Sequence, residues 1–357
     1  MKCSVCSAPG HRAERVAGFT VYEILVVVAV IGLLLAISIP AVHAVRERAR
    51  ATICRSNLKQ LALGCELYHG SHGRFPPGQM FGRHGVGPDS TSWSWLARIL
   101  PHIDQFALYQ RGGIPKTSLR NSGIADHQVS LFLCPSDSDR RPGPRRDAGN
   151  MREHAFAVGQ TNYKGVSGAN WGADVSQGLG PGETGAVWIN MGTNGSYDGL
   201  SDGDGLMFRT DYRARRRHAD VVDGLSQTLM IGEGLPSVDG YCSWPYANNA
   251  YSTCAIPPNC DPPQDPYDWA KAQSFRSAHP DGLFFAFADG RVQFVQNAIG
   301  LTIYRGLATI GGSESHLQVG LSAGGAAGHH DTSQRELSTM TADLAVRSRD
   351  GDSHVDH

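Results

Sequence analysis

Two residues near the C-terminal end of the sequence, His279 and Asp289, are of the types that perform acid–base chemistry. An imidazole and a carboxylate can exchange a proton only within hydrogen-bond reach of each other. The apolar residues between them predict a β-strand, in which ten residues at about 3.3 Å each would hold the two side chains about 33 Å apart. We therefore predict that His279 packs at the start of the strand. The sequence contains no other catalytic motif, and we predict that the chain is not an enzyme.

Three carboxylates, Asp198, Asp202 and Asp204, lie in a segment rich in Gly, Asp and Asn. Oxygen ligands on a flexible Gly-rich segment suit Ca²⁺, which makes these residues candidate calcium ligands. The spacing of an EF-hand is absent, however, and Asp is also common in tight turns. We favour the turn interpretation, and predict that the protein uses no cofactor.

Eight cysteines are spread along the chain, too far apart for a zinc-finger framework: Cys3, Cys6, Cys54, Cys65, Cys134, Cys242, Cys254 and Cys260. Disulfides are expected if the domain that carries them lies outside the cytoplasm. The last three fall in one Pro-, Asn- and Tyr-rich loop, which a local disulfide would stabilise by about 2–4 kcal/mol. The sequence leaves open which two of these three would pair.

Glu23 is the sole acid between residues 21 and 45, and it stands directly before an apolar run, residues 24–39. A carboxylate is costly in lipid, by about 2.5–3.5 kcal/mol at the bilayer centre. One interpretation places Glu23 at the membrane interface, where the positive end of a helix dipole favours an anion. The other interpretation has Glu23 meet a positively charged partner inside the apolar layer.

The apolar run is long enough for a transmembrane helix, because a bilayer core of about 30 Å requires roughly 20 apolar residues. Gly70 and Gly73, followed by Phe-Pro-Pro-Gly, are predicted to end the helix. Residues 19–70 thus predict one helix, half of it in the membrane and half a spine for the head. Its second half carries a helically spaced stripe predicted to pack on the head: Cys54, Leu58, Leu61, Cys65 and Tyr68.

Residues 71–312 predict an α+β head with an antiparallel β-sheet and long Gly-rich loops, in which residues 129–133 form one strand. Residues 313–357 are rich in Gly, Ser, Asp and His and predict a disordered tail.

The positive and negative charges of the chain nearly balance, with 32 Lys and Arg against 33 Asp and Glu. Dedicated nucleic-acid binders usually carry a basic excess, so we predict no nucleic-acid partner.

A β-hairpin over residues 279–295 is the clearest element of the predicted head. Asp289 and Gly290, between two apolar runs, are typical of a two-residue hairpin turn. The alternation along the first strand predicts that Ala286 and Ala288 lie on its wetter face. The turn also predicts two pairs across the hairpin: Phe287 with Val292, and Phe285 with Phe294.

Residues 18–23 read Gly-Phe-Thr-Val-Tyr-Glu and precede an apolar helix that contains Pro40. This segment resembles the N-terminus of type IV prepilins and type II secretion pseudopilins, although Val-Tyr replaces the commoner Leu-Ile or Leu-Val pair. The resemblance implies that residues 1–18 are a leader, cleaved between Gly18 and Phe19 by a prepilin peptidase that also methylates the new amine. It further implies that Glu23 pairs with the amine of a neighbouring pilin-like subunit during assembly.

A second resemblance covers residues 18–312 and is to a large family of pilin-like proteins of unknown function. His279, nine further residues, and then Asp289 and Gly290 match its C-terminal H-X9-DG signature. The cysteine motifs of the family imply a disulfide between Cys54 and Cys134, tying the spine helix to the head. Other matching segments are residues 54–60, 75–78, 132–137, 161–163 and 223–233.

The two flanks of the apolar run disagree with the orientation that the prepilin resemblance implies. The leader carries Lys2, Arg12 and Arg15, while five cations follow the run: Arg46, Arg48, Arg50, Arg55 and Lys59. By charge count alone the head would be cytoplasmic. Cleavage of the leader requires the opposite, so we expect a single-pass inner-membrane protein with its head on the periplasmic side.

The sequence therefore predicts a membrane-anchored, pilin-like structural subunit of a pilus or secretion pseudopilus. A different class of function is a membrane-tethered ligand-binding or sensing module that uses a prepilin-type anchor without forming filaments. The large Gly-rich insertions in the head favour this alternative, because major pilins usually have compact heads.

Overall fold

One long helix, α1 (Val21–His72), dominates the computed structural model, which describes residues 20–170, 200–201, 203–214, 216–262, 265–268 and 272–312. Its 52 residues extend over about 78 Å at 1.5 Å per residue, and the helix continues through Pro40. It ends where Gly73 takes a left-handed conformation, with φ of 67°, and donates its N–H to the His69 carbonyl. The end lies two residues beyond Gly70, because Gly70 itself is tolerated within the last turn.

The second half of α1 packs on the head through the stripe that the sequence predicts. Its five stripe residues are buried, with exposed fractions between 0% and 4%: Cys54, Leu58, Leu61, Cys65 and Tyr68. Gly64 lies on the same face, where an added Cβ would stand 2.9 Å from Ile103. From Leu58 onward the stripe therefore forms part of the main hydrophobic core, and α1 is an integral element of the head.

Short elements complete the head. Its five strands are β1 (Tyr163–Val166), β2 (Leu229–Glu233), β3 (Tyr251–Ser252), β4 (Gly282–Phe287) and β5 (Val292–Gln296). Within the described residues its short α-helices include α2 (Trp95–Ile99), α3 (Phe106–Arg111) and α4 (Leu301–Gly306). The predicted strand over residues 129–133 is wrong, because its centre is a single 3₁₀ turn, Ser130–Phe132.

The strands form one mixed sheet in the order β3-β1-β2-β4-β5. The prediction of an α+β head behind a long apolar helix is confirmed, but the sheet is not wholly antiparallel. The edge strand β3 pairs parallel to β1, with Gly165 opposite Tyr251. Gly165 allows this pairing because a Cβ there would meet the Tyr251 ring at 3.0 Å.

The β4–β5 hairpin forms, but its predicted register is wrong by one residue. Ala286 pairs with Val292, and Phe284 with Phe294. Phe287 donates its N–H to the Arg291 carbonyl over 2.8 Å, which leaves three residues in the loop instead of two. Gly290, with φ of +77°, takes the left-handed position that closes such a three-residue loop.

Both faces of β4 are buried, which also corrects the predicted wetter face. Leu283, Phe285 and Phe287 belong to a cluster that α4 covers. Ala286 and Ala288 are 0% exposed on the opposite face, where they join the core that contains the stripe of α1. Small side chains are needed at these two positions because α1 packs over them. The sheet is therefore the middle of three layers, with α1 on one face and α4 on the other.

Candidate functional site

The N-terminal end of α1 is closed by a reciprocal pair of hydrogen bonds between Thr20 and Glu23. The N–H of Glu23 donates to Thr20 Oγ1 over 3.3 Å, and the N–H of Thr20 donates to Glu23 Oε2 over 2.8 Å. This capping box satisfies two backbone groups that a helix start leaves free. The proposed cleavage residues Gly18 and Phe19 lie outside the described residues. The glutamate is thus positioned at the first turn of the apolar helix, consistent with its interaction with the helix dipole.

The first half of α1 projects from the head with its apolar side chains uncovered. Val21 is 76% exposed, Leu33 63% and Ile37 65%. This helix is long and apolar enough to cross a membrane, and none of its most apolar 18-residue window is buried within the protein. By length and composition, α1 is a candidate membrane anchor.

Where α1 meets the head, a disulfide joins Cys54 to Cys134, the pairing that the family resemblance implies. Their Cα atoms lie 5.4 Å apart and the bond spans 80 positions of sequence. Asn57 of the next helical turn donates its side-chain amide to the Leu133 carbonyl over 3.1 Å. Helix and head are therefore joined by a covalent bond and a hydrogen bond within one turn of α1.

His279 lies beside this disulfide and between two glutamates. Its Nδ1 is 2.7 Å from Glu47 Oε1 on α1, and its Nε2 is 3.4 Å from Glu233 Oε1 at the end of β2. The same Nε2 is 3.7 Å from Cys134 Sγ. Burial alone would lower the pKa of His279, but the carboxylates of Glu233 and Glu47 more than offset burial and raise it. His279 thus links α1, β2 and the strand that it precedes.

Glu233 and Glu47 differ in how many of their carboxylate oxygens form good hydrogen bonds or ion pairs. Glu233 is 1% exposed and accepts the Phe284 N–H at Oε2 over 2.8 Å, while its Oε1 forms no hydrogen bond of normal geometry among the described residues and has only the 3.4 Å ion-pair contact with His279 Nε2. Glu47 Oε1 accepts from Ser136 Oγ over 2.9 Å, and its Oε2 lies 3.4 Å from Arg50. Buried polar atoms normally form good hydrogen bonds, so Glu233 Oε1, with one long contact, is the least satisfied oxygen of the two glutamates.

The other end of the H-X9-DG segment also contacts α1. Lys59 Nζ donates to the Gly290 carbonyl over 2.6 Å, and Asp289 Oδ1 accepts the Arg291 N–H over 2.8 Å within the turn. Glu47 and Lys59, the helix partners of the two ends, are twelve residues apart, or about 18 Å along the axis. His279 and Gly290 therefore fix both ends of β4 on the spine, which gives the motif a structural role in docking. Asp289 holds the turn and has no contact with His279.

Asn162 organises the backbone beneath the disulfide, and the sequence argument assigned it no role. Its Oδ1 accepts the Cys134 N–H over 3.0 Å, and its Nδ2 donates to Asp137 Oδ2 and to the Gly234 carbonyl, each over 3.0 Å. The amide thus joins the Cys134 turn to β2. The available signal was the Thr-Asn-Tyr segment, residues 161–163, which matches the family but carries no catalytic residue type.

Glu47 and Glu233 were also missed as site residues. Glu47 is a lone acid among the arginines that follow the apolar run, and Glu233 ends a buried strand. The signals were a single acid in a basic stretch and an acid at a strand end, where it also ends the family-matching segment 223–233. Neither indicates a shared site until the fold places them together.

The local disulfide predicted in the loop after β2 is not formed, because Cys242, Cys254 and Cys260 are free thiols. Burial raises the pKa of Cys242 and Cys254 well above the ordinary thiol range, so both remain protonated and unreactive.

Asp204, one of the three candidate calcium ligands, accepts the N–H groups of Ala169 and Asn170 with Oδ1, over 2.9 and 3.1 Å. The other calcium candidates, Asp198 and Asp202, lie outside the described residues.

The helix–head junction thus brings together cysteine, histidine and glutamate side chains within the described residues. Ligand atoms of Cys54, Cys134, Glu233 and His279 all lie within 4.8 Å of one another, and all four residues are buried. As the structure stands, this cluster cross-links the spine to the head. Its residue types are also those that bind transition metals.

A long helix whose apolar first half is a candidate membrane anchor, with an α+β head locked onto its second half, defines a pilin-like protein. The chain belongs to the family described as proteins of unknown function (DUF1559), whose model matches residues 43–302. It is also 32% identical over 68 residues to the type II secretion system core protein G of Pseudomonas aeruginosa. That match covers 19% of this chain and 48% of the relative, so the chain spans about half the length of this curated relative. No solved structure matches the chain.

Proposed function

We propose that this protein is a membrane-anchored, pilin-like structural subunit that is processed between Gly18 and Phe19 and assembles into a pilus or secretion pseudopilus. A prepilin peptidase removes residues 1–18 and methylates the amine of Phe19. The apolar half of α1 anchors the subunit in the inner membrane, with the head in the periplasm. The protein acts as a subunit and as a substrate of the peptidase, and performs no catalysis itself.

The observation that carries the proposal is the uncovered apolar half of α1 with one acid at its start. An apolar surface of that length is stable only in lipid or against other helices. In a filament the same surface would pack against the α1 helices of neighbouring copies. Glu23 stands four residues after Phe19, where its free carboxylate oxygen could accept the methylated amine of a neighbouring subunit.

Similarity to a type II secretion core protein supports the secretion setting of the proposal. Two of the cations beyond the apolar run are accounted for by contacts at the helix–head junction. Lys59 donates to the Gly290 carbonyl of the head, and Arg50 pairs with Glu47, a residue of the same helix that itself contacts His279 of the head. A cation that contacts the folded head must lie on the same side of the membrane as the head. The excess of cations after the apolar run is therefore explained in part by these contacts and not only by membrane orientation.

Replacing Glu23 by valine is expected to leave processing intact and to lower assembly at least tenfold, because the apolar layer then holds an unpaired amine. The measurement compares the processed chain in membranes with the amount in the sheared filament fraction, in a host that carries the assembly machinery. Thr20→Val is the matched control, since it removes the capping hydroxyl and keeps the carboxylate. Glu23→Val chains that enter filaments like the unsubstituted protein would refute the assembly role.

The tethered-module alternative is favoured by one observation, an open cleft of about 710 Å³ at the C-terminal end of α1. Its lining includes His72, Arg74, Arg216 and Arg217, with Asp220 as the acid. An excess of cations in a cleft suits an anionic ligand. The Glu23 experiment separates the two functions, because a tethered module forms no filaments and does not depend on the acid.

A further inference from the structure

The buried cluster at the helix–head junction has the composition of a zinc site. Cys54 and Cys134 supply sulfur, His279 Nε2 supplies an imidazole nitrogen and Glu233 Oε1 supplies a carboxylate oxygen. Zinc in proteins is bound by four such ligands in a tetrahedron. We propose that, once the Cys54–Cys134 disulfide is reduced, these four groups bind one zinc ion, with Glu47 orienting the imidazole from outside.

The distances within the cluster fit this geometry. Bonds of about 2.0–2.3 Å to zinc place tetrahedral ligands about 3.3–3.8 Å from one another. Cys134 Sγ and His279 Nε2 are 3.7 Å apart, and Nε2 and Glu233 Oε1 are 3.4 Å apart. The two sulfurs must separate to about 3.8 Å after their bond is broken, a movement that side-chain rotation supplies.

Glu233 provides an independent observation that points to a ligand. It is 1% exposed, and its Oε1 faces the cysteines and the histidine; among the described residues this oxygen forms no hydrogen bond of normal geometry and has only the 3.4 Å ion-pair contact with His279 Nε2. A buried carboxylate oxygen that is held only by a long ion-pair contact is incompletely compensated for its lost hydration, and a bound cation would lower that cost. The other oxygen accepts the Phe284 N–H, which holds the carboxylate in place.

Glu47 completes the arrangement that zinc-binding histidines normally show. Such a histidine binds the metal with one ring nitrogen and donates its other N–H to a carboxylate. His279 Nδ1 is 2.7 Å from Glu47 Oε1, which leaves Nε2 facing the cluster. Glu47 is itself held by Ser136 and Arg50, so the imidazole is oriented before any metal arrives.

The site is built by four separate parts of the fold. Cys54 and Glu47 lie on α1, Cys134 follows the Ser130–Phe132 turn, Glu233 ends β2 and His279 precedes β4. A zinc ion would therefore hold the spine on the head, as the disulfide does in the oxidised chain. The inference is independent of whether the protein assembles into filaments.

The exchange of one cross-link for the other balances with a dithiol as reductant. The dithiol gives two electrons and two protons to the Cys54–Cys134 disulfide and becomes a disulfide itself. Zinc then binds both sulfurs as thiolates and His279 through a deprotonated Nε2, so the two thiol protons, together with the Nε2 proton where the imidazole is charged, are released to solvent. Oxidation by a disulfide reverses the sequence and expels the metal.

The test uses the full chain in detergent, with Cys3→Ser and Cys6→Ser to remove the Cys-x-x-Cys near His11. The protein is reduced with a water-soluble phosphine and gel-filtered with Zn²⁺, and bound zinc is counted by elemental mass spectrometry. We expect one equivalent more in the reduced than in the oxidised chain. Cobalt in place of zinc should give the thiolate charge-transfer and visible bands of a tetrahedral site.

Variants assign the ligands. Glu233→Gln and His279→Gln should each weaken zinc binding at least tenfold, and Cys54→Ser should abolish the cobalt thiolate bands. Glu47→Gln should weaken binding by about 10–100-fold while the cobalt spectrum keeps its form, as expected for a residue that acts through the histidine. Cys260→Ser, a free cysteine in another part of the head, is the matched control and should bind like the unsubstituted chain.

A second readout does not depend on the folding of any variant. In the unsubstituted reduced chain, zinc should protect Cys54 and Cys134 from alkylation at least tenfold, as measured by peptide mass spectrometry. Equal zinc content in the reduced and oxidised chains would overturn the proposal. Unchanged alkylation of these two cysteines on addition of zinc would also overturn it.

Discussion

Simultaneous replacement of Cys54 and Cys134 by alanine is expected to lower the unfolding free energy of the head by about 4 kcal/mol. The bond closes a loop of 80 positions, and restricting the unfolded chain over such a loop contributes about 4–5 kcal/mol in the chain-entropy account. The measurement is guanidinium denaturation of the full chain in detergent, followed by fluorescence of the buried Trp93, Trp95 and Trp244.

Cys260→Ala is the control for loss of a thiol without loss of a cross-link, and it is expected to cost under about 1 kcal/mol. The difference between the two variants isolates the contribution of the disulfide. A double variant that is no less stable than Cys260→Ala would show that the spine is held by packing and hydrogen bonds alone. In that case the junction would not need a cross-link in either redox state.

Lys164→Met alone is expected to cost about 3–5 kcal/mol, because it leaves the Asp239 carboxylate buried without its cation. Lys164 lies on β1, and its Nζ is 2.6 Å from Asp239 Oδ2, with the two side chains 0% and 2% exposed. Asp239 also accepts the Tyr241 N–H over 2.6 Å. The pair therefore fixes the loop after β2 against the sheet strand beside it.

The matched control is the double variant Lys164→Met with Asp239→Leu, which removes both charges. Replacing a buried ion pair by apolar residues is often close to neutral, so the double variant should recover more than half of the loss. The same denaturation measurement yields the coupling energy of the pair. Additive losses in the double variant would contradict the account, since they would mean that the two charges do not depend on each other.

The elements with strong periodic signals were predictable from the sequence. The stripe from Cys54 to Tyr68 follows helical spacing over four turns, and every member is buried on the head. The run before it, residues 24–39, is apolar on every side and shows no such stripe. Sequence periodicity could therefore divide α1 into an exposed half and a packed half.

Features that depend on single residues or on tertiary neighbours were not predictable. The hairpin turn contains three residues because Gly290 is left-handed, and the sequence Asp-Gly is compatible with loops of two or three residues. Ala286 and Ala288 are buried because α1 crosses them, which no local pattern of β4 records. Residues 129–133 have the composition of a strand, but the disulfide and Asn162 hold their end in a turn.

The junction cluster could be only half predicted. The family resemblance paired Cys54 with Cys134 and singled out His279, but assigned the histidine no contact. Its partners Glu47 and Glu233 lie 232 and 46 positions away in sequence, so only the fold brings them together. The residue types show that each position could take part in chemistry. Only the tertiary structure shows that these positions lie together as one group.

The measurement that tests the proposed function most directly is the mass of the N-terminal peptide of the chain recovered from membranes of a host with a prepilin peptidase. The account predicts a peptide that begins at Phe19 and carries one methyl group on its amine, and a Gly18→Val variant that keeps residues 1–18. A chain from membranes that still begins before Phe19, or one cleaved elsewhere, would contradict it.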